Sequence, residues 1–422
     1  MNLITEIAIP FLLGILGFIK IDVVGALALN EILLLVISPF YLNRALRVLQ
    51  LPAFRSTFLL GLAYLFSLIA ADLYRDTPSQ DHLRGWAKLG VTLFSFILLV
   101  PILFDNKRAL PAFIIGWFLS PFASIIAYGV QWNLYKFYIG GPISTATFLV
   151  VGYAHRYLRK ATHFMPFLAA GMAFLQNCRS LAGITIIAQI ANLLAIRQKS
   201  RCDSYEHYTA SGKARSIFIF LFFCLLVLGT IEIYKYTVVR GFWGEESQTK
   251  YEMESLREGF FLLTVRSDHY YTWPKIFESP IIGYGSWAKD IDYVISRANE
   301  LGINPAAVVD PLARAGEYGL IQTHSHVTAG WLEAGIFGGI FWIIALWRTI
   351  KLLVSGGMAS IGRLAPLMTF FLVGFAWDVL FSPYGGSNRL WSGFMLALIA
   401  WTETQIRDAD IDDPGQRIEK NR

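Results

Sequence analysis

Apolar residues in this chain of 422 residues come in blocks of about 15–22, separated by short polar runs. That spacing constrains the fold more than any motif does. At ~1.5 Å of rise per residue, a helix of such length crosses the ~30 Å hydrocarbon core of a bilayer. In lipid every backbone N–H and C=O must be satisfied inside the segment, so such blocks become transmembrane helices. The overall balance agrees, with 55% of residues hydrophobic and 16% charged, against roughly a quarter charged in a soluble domain. The first block, "LITEIAIPFLLGILGFI", has neither a basic leader nor a small-residue cleavage site, so it reads as a retained span.

The blocks predict about twelve spans, over residues 4–19, 25–41, 56–72, 86–104, 110–129, 141–154, 163–177, 180–196, 215–235, 326–348, 363–382 and 388–404. The loops between them alternate in charge. One set carries Arg44, Arg47 and Arg55, then Lys107 and Arg108, then Arg156, Arg159 and Lys160, and so on to Arg348, Lys351 and Arg363. The other set is acidic or nearly free of basic residues: "DLYRDTPSQD", "QWNLYKFYIGG", "QNCRS", "SPYGGSN". Lys and Arg mark the cytoplasmic side, which puts both termini there. Membrane orientation thereby accounts for the net charge of +6, and nucleic acid is not an expected partner.

Four regions follow: residues 1–235 with nine spans, an outer loop at 236–325, three more spans at 326–404, and a polar cytoplasmic tail at 405–422. A structureless loop as long as 236–325 is unusual, so short helices are expected over the mouth of the bundle. Cys178, Cys202 and Cys224 lie in three different contexts and imply no disulfide framework. There is no nucleotide-binding GxxxxGK[ST] loop, HExxH, GxSxG or EF-hand loop.

Basic residues on the outer face break the charge rule and are therefore informative. Arg179 sits in a tight turn between two spans, Arg266 in the outer loop, and Arg389 at the start of the last span. An interfacial arginine commonly snorkels to headgroups, but a two-span turn leaves little room for an unpartnered charge. His324 and His326 open the tenth span at its outer end. In extended chain they point the same way, which suits a metal pair completed by His269, Asp268 or Glu317, a capping role, or general-base chemistry. Glu333 lies about two turns further along, placed to orient a histidine or to bond a neighbouring helix. Gly335 and Gly339 form a small-xxx-small pair that invites another helix to approach. Asp378, near the outer end of the eleventh span, is expected to pair with Arg389 across a short turn.

Guanidinium groups recognise phosphate oxygens with paired hydrogen bonds, and histidine can take a proton from a sugar hydroxyl. A lipid-linked pyrophosphate at the outer lip, its tail between helices, is the donor such a collection suits. Three stretches carry a resemblance to the superfamily of O-antigen ligases and O-antigen or exopolysaccharide polymerases: "HSHVTAGWLEAGIFGGIFWI", "NCRSLAGITI" and "VRSDHYYTWPKIFESPIIGYG". They occur in the family's order, and the likeness extends over roughly residues 160–350. Counted back from Glu333, the family histidine falls on His324, with Ser325 in the usual Asn place and His326 extra; Cys178 stands where Ser is common.

The resemblance implies an all-α polytopic membrane protein with a GT-C-like fold. It implies a metal-independent, inverting glycosyltransferase with no cofactor, working at the periplasmic face of the bacterial inner membrane. The donor would be an undecaprenyl-pyrophosphate-linked glycan held by Arg179 and Arg266, with His324, preferred over His326, activating the acceptor hydroxyl. The acceptor is lipid A–core for a ligase, or a second lipid-linked repeat unit for a polymerase, which would work with a chain-length regulator. The polymerase is preferred, because the family has many exopolysaccharide members. Two competing readings are a transporter, with Glu333, Asp378 and the histidines as a proton relay, and a non-catalytic membrane scaffold.

Overall fold

The computed structural model describes residues 4–22, 26–130, 133–158, 160–202, 235–242, 244–245, 268–300, 304–314, 317–355, 357–385 and 389–412, with single positions at 232, 248 and 302. The expected ninth span at 215–235, Arg266 and the end of the tail lie outside the described residues, apart from scattered positions of that span.

The chain is an all-α, multi-pass membrane protein, with one small β-ribbon among the described residues. Seven described helices are long and apolar enough to cross a bilayer. After α1 (Ile9–Ile15) come β1 (Lys20–Asp22) and β2 (Ala26–Ala28), which pair antiparallel, with Lys20 opposite Ala28. Then follow α2 (Leu29–Val48), α3 (Pro52–Tyr74), α4 (Ser79–Leu103), α5 (Ala109–Tyr128), α6 (Gly140–Leu158), α7 (Lys160–Leu175) and α8 (Arg179–Cys202). Among the described residues the long connection carries the short helices α9 (Asp268–Glu278), α10 (Ile291–Glu300) and α11 (Pro305–Arg314). The chain ends with α12 (His326–Ala334), α13 (Ile336–Ser355), α14 (Ala365–Phe381) and α15 (Arg389–Asp412).

Two helices form the axis. α4 is 72% buried along its apolar window, more than any other candidate span. It packs on α15, where Gly393 lies against Ser95 and the Thr92 carbonyl. Lipid offers no hydrophobic drive between spans, so small residues and polar pairs must hold them together. Arg389 at the start of α15 clamps Glu31 of α2 with both arms of its guanidinium, at 2.8 and 2.6 Å, and also donates to the Ala26 carbonyl. Near the other end of the bundle, Arg348 of α13 does the same to Glu403 of α15 and reaches Thr57 of α3. Each clamp ties an axis helix to the rim.

Three expectations need correction. Residues 326–348 are not one span: the helix breaks at Gly335, which has φ +64° and ψ −151°. α12 folds against the start of α13, so that Gly330 and Gly338 meet backbone to backbone. The pair Gly335 and Gly339 therefore does not receive a separate helix. Gly335 makes the turn, and Gly339 lies under the Trp331 ring of its own hairpin. Finally, the polar residues after Trp401 do not begin a tail at 405. α15 stays helical to Asp412, beyond the end of its apolar stretch.

A second, smaller core lies in the long connection. Ile276, Ala288, Val294, Val309 and Ile321 pack together and join Leu332 of α12. This core seats α9, α10 and α11 on one end of the bundle, called here the loop end.

Candidate functional site

The break at Gly335 frees backbone groups that a continuous helix would pair. The turn after α9 takes them up. Tyr284 and Gly285 donate their amides to the carbonyls of Leu332 and Glu333, at 2.7 and 2.9 Å, and Ile336 donates to the Ile281 carbonyl. The turn must lie flat against the break, and glycine allows it: Gly283 and Gly285 have φ +85° and +81°, and a Cβ on Gly283 would sit 2.7 Å from the Glu333 carbonyl oxygen.

The same turn is gripped from α3 and α4. Asp72 accepts from the Ser286 amide at 2.6 Å, from its hydroxyl at 2.8 Å, and from the Trp86 indole at 2.7 Å. Arg75 donates to the Gly283 carbonyl and the Ser279 hydroxyl and lies over the Tyr284 ring. Lys289 bonds Asp81. Next to this grip, Trp287 takes φ +52°, a backbone region that side chains other than Gly rarely occupy and that collects at functional sites.

Beneath the turn lies a buried ion pair. Lys88 of α4 donates to both oxygens of Glu333, at 2.7 and 3.0 Å, with side-chain exposures of 3% and 11%. The ammonium also lies 4.8 Å from the Trp287 ring centre and 5.0 Å from that of Tyr384. Tyr384 is held in turn, its hydroxyl 2.6 Å from that of Thr92. Glu333 thus bonds a neighbouring helix and orients no histidine among the described contacts.

The two histidines part company at Ser325. Ser325 caps α12, its hydroxyl accepting from the Thr328 amide at 3.3 Å and donating to the Val379 carbonyl of α14 at 2.9 Å. His326, the first helical residue, is completely buried between the rings of Trp342 and Tyr384, at 4.7 and 5.1 Å. Among the described residues, neither of its ring nitrogens has a hydrogen-bond partner. His324, on the other side of the cap, is half-buried in an extended stretch. The Ala288 carbonyl and the Thr272 hydroxyl pin that stretch at Ile321 and Gln322.

Arg179 opens α8 behind a turn in which Asn177 takes φ +58° and Cys178 is buried. α8 runs antiparallel to α14. Asn192 donates to the Pro366 carbonyl, and Gly374 faces Ile184. Carried to the ends of both helices, that register sets Arg179 level with Val379, the residue whose carbonyl Ser325 holds. Arg179 and His324 therefore share one level at the loop end. A cavity of about 290 Å³ reaches the first turns of α8 at Leu181 and Ile184 and is lined also by Phe371, Trp391, Lys136 and Asp378 among others.

The expected pairing of Asp378 with Arg389 does not occur. Arg389 is filled by Glu31, and the Asp378 carboxyl is hydrogen-bonded by Ser382 and Trp391. Four residues of the grip escaped the sequence reading: Asp72, Arg75, Lys88 and Lys289. A signal existed for Lys88 and Asp72, since each is an ionisable residue at the edge of a predicted span. Among the described residues no three of His, Cys, Asp and Glu cluster as metal ligands.

In the long connection, Lys275 bonds both Glu278 and Asp290, at 2.8 and 2.9 Å. The Lys275 bond holds the Glu278 carboxyl below the usual carboxylate range, against burial. No family model matches this chain, and no curated protein is significantly similar to it in sequence.

Proposed function

We propose that this chain transfers a glycan from a polyprenyl-diphosphate donor to a sugar hydroxyl, at the periplasmic face of a bacterial inner membrane. In this reading both termini are cytoplasmic and the loop end faces the periplasm, as the basic loops require. The observation that carries the proposal is the shared level of His324 and Arg179 at one end of the bundle, with a largely apolar cavity that also holds Lys136 and Asp378 opening at the first turns of α8. Arg179 would hold the diphosphate with its planar fork, and the isoprenoid tail would run down between helices. His324 would take the proton from the acceptor hydroxyl as the new glycosidic bond forms and the lipid diphosphate departs. His324 is the better base because His326 is enclosed by two aromatic rings. Arg266 is assigned to the same diphosphate on the resemblance alone.

The Ser325 cap gives this assignment a physical reason. By fixing the first turn of α12 to α14, it fixes the extended backbone that presents His324. Asn caps helices as well as Ser does, so the departure from the usual Asn leaves that function intact.

The test is the surface polysaccharide of a strain lacking the gene. Single repeat units on lipid A–core identify a polymerase. Bare core with lipid-linked polymer accumulating identifies a ligase. Unchanged polysaccharide overturns the transferase reading. A second reading, solute transport, draws on the broken span at Gly335, since discontinuous helices line many transporter sites. Loss of uptake of a small solute, with polysaccharide intact, would favour it.

A further inference from the structure

The turn that closes the broken span leaves apolar side chains bare. Phe277 is 72% exposed and Ile281 68%. Such a patch on an extramembrane segment calls for an occupant, and its neighbours say which. The amide of Ile336 donates to the Ile281 carbonyl at 3.3 Å, so the turn sits at the depth of the first residue of α13. The part of α13 ahead of Arg348 gives at most about 18 Å of helix, less than the ~30 Å core, so its first residue lies no further out than the core's edge. Ile336 and Phe337 are exposed there too. On the other flank, Arg75 ties the turn to the end of α3, where Leu73 and Tyr74 are two-thirds exposed. The patch is thus continuous with the lipid-facing surfaces of two adjacent spans.

Its backbone is also prepared for lipid, where an unsatisfied polar group is costly. The Pro280 carbonyl accepts from the Trp331 indole, the Ile281 carbonyl from Ile336, and the Gly283 carbonyl from Arg75. The amides of Gly283, Tyr284 and Gly285 donate to Ser279, Leu332 and Glu333. The carboxylate beside the patch, that of Glu278, is bonded by Lys275 and by the Tyr284 hydroxyl.

We propose that the Phe277–Ile282 turn is a membrane anchor. It inserts Phe277 and Ile281 into the lipid of the loop-end leaflet, and so holds the long connection down on the bilayer. The partner is the acyl chain region itself, not a protein, and the proposal stands whether or not the transferase reading does.

The full chain, with Cys178, Cys202 and Cys224 replaced by Ser, is put into phosphatidylcholine nanodiscs with brominated acyl chains. Phe277→Cys, Ile281→Cys or Asp292→Cys then carries a bimane probe. Position 292 serves as the control, because the exposed carboxylate of Asp292 belongs in water. Insertion to about 5–10 Å depth predicts that bromine removes roughly half or more of the fluorescence at 277 and 281 and little at 292. Equal quenching at all three sites overturns the anchor, as does efficient disulfide crosslinking of two copies of the Ile281→Cys variant. If the cysteine-free chain does not fold, a photoactivatable phospholipid can be used on the unmodified chain. Adducts on Phe277–Ile282 support the anchor; adducts on α13 with none on the turn overturn it.

Discussion

Two histidines separated by one residue meet opposite fates, and one serine decides it. Ser325 ends an extended stretch and starts a helix, so His324 stays at the mouth while His326 turns into the aromatic core. Replacing His324 with Ala should lower glycan transfer by about 100- to 10,000-fold, the usual worth of a general base, with membrane insertion unchanged. His326→Phe should keep most activity, because the ring's contacts are with rings. His326→Ala should cost about 2–4 kcal/mol, as other large-to-small core changes do. Transfer assays beside thermal melts separate the two roles; equal loss of activity in His324→Ala and His326→Phe would refute the division. The Lys88–Glu333 pair behaves differently again. Glu333→Gln leaves an ammonium buried without its counter-charge and should destabilise by about 3–5 kcal/mol. Lys88→Met combined with Glu333→Leu should restore much of that, since an apolar pair needs no desolvation. A double variant as unstable in detergent melts as the single one would show that the pair does more than neutralise itself. Arg179 was conspicuous in the sequence as a basic residue in a loop where the topology rule disfavours one, and His324 as an ionisable ring at the lip of a span. Lys88 was not, because a lysine in the first turns of a predicted span passes for a snorkelling one until its partner, far along the chain, is seen.

The helices themselves were largely legible, since hydrophobic blocks of membrane length admit little else. Their breaks were not. Glycine is frequent in transmembrane helices, so Gly335 looked like a packing notch rather than a turn. What makes the turn stable is a set of hydrogen bonds from residues 281–285, and no local pattern around 335 announces them. A Cβ at 335 would meet the Ile281 carbonyl oxygen at 1.9 Å and would also have to sit at φ +64°. Gly335→Ala should therefore cost at least about 1–2 kcal/mol for the backbone alone and push the turn off α12. Protease cuts between 279 and 290 should appear sooner in this variant under native conditions. Unchanged cleavage would mean that the turn does not depend on the break.

At the scale of the whole molecule, hydropathy placed most of the spans, while the way the bundle closes came only from the structure. Clamps at the two ends, Arg389 with Glu31 and Arg348 with Glu403, join helices widely separated in the chain. One of them took Arg389 out of the pool of substrate-binding groups. Orientation remains directly testable. A cysteine at 292, on the long connection, should react with an impermeant thiol reagent in intact cells, and one at 355, beyond α13, only after lysis. The reverse pattern would turn the molecule over and remove the periplasmic site. The broken span also has a bearing on biogenesis. Residues 281–285 leave the ribosome before 332–336 do, so the groups that complete α12 are made before α12 exists. A translocon can deliver α13 as an ordinary greasy segment, but the short helix in front of it can settle only against a neighbour already in place. Assembly of the mouth therefore joins an earlier part of the chain to a later one, and α14 and α15 close around it only after both have been made.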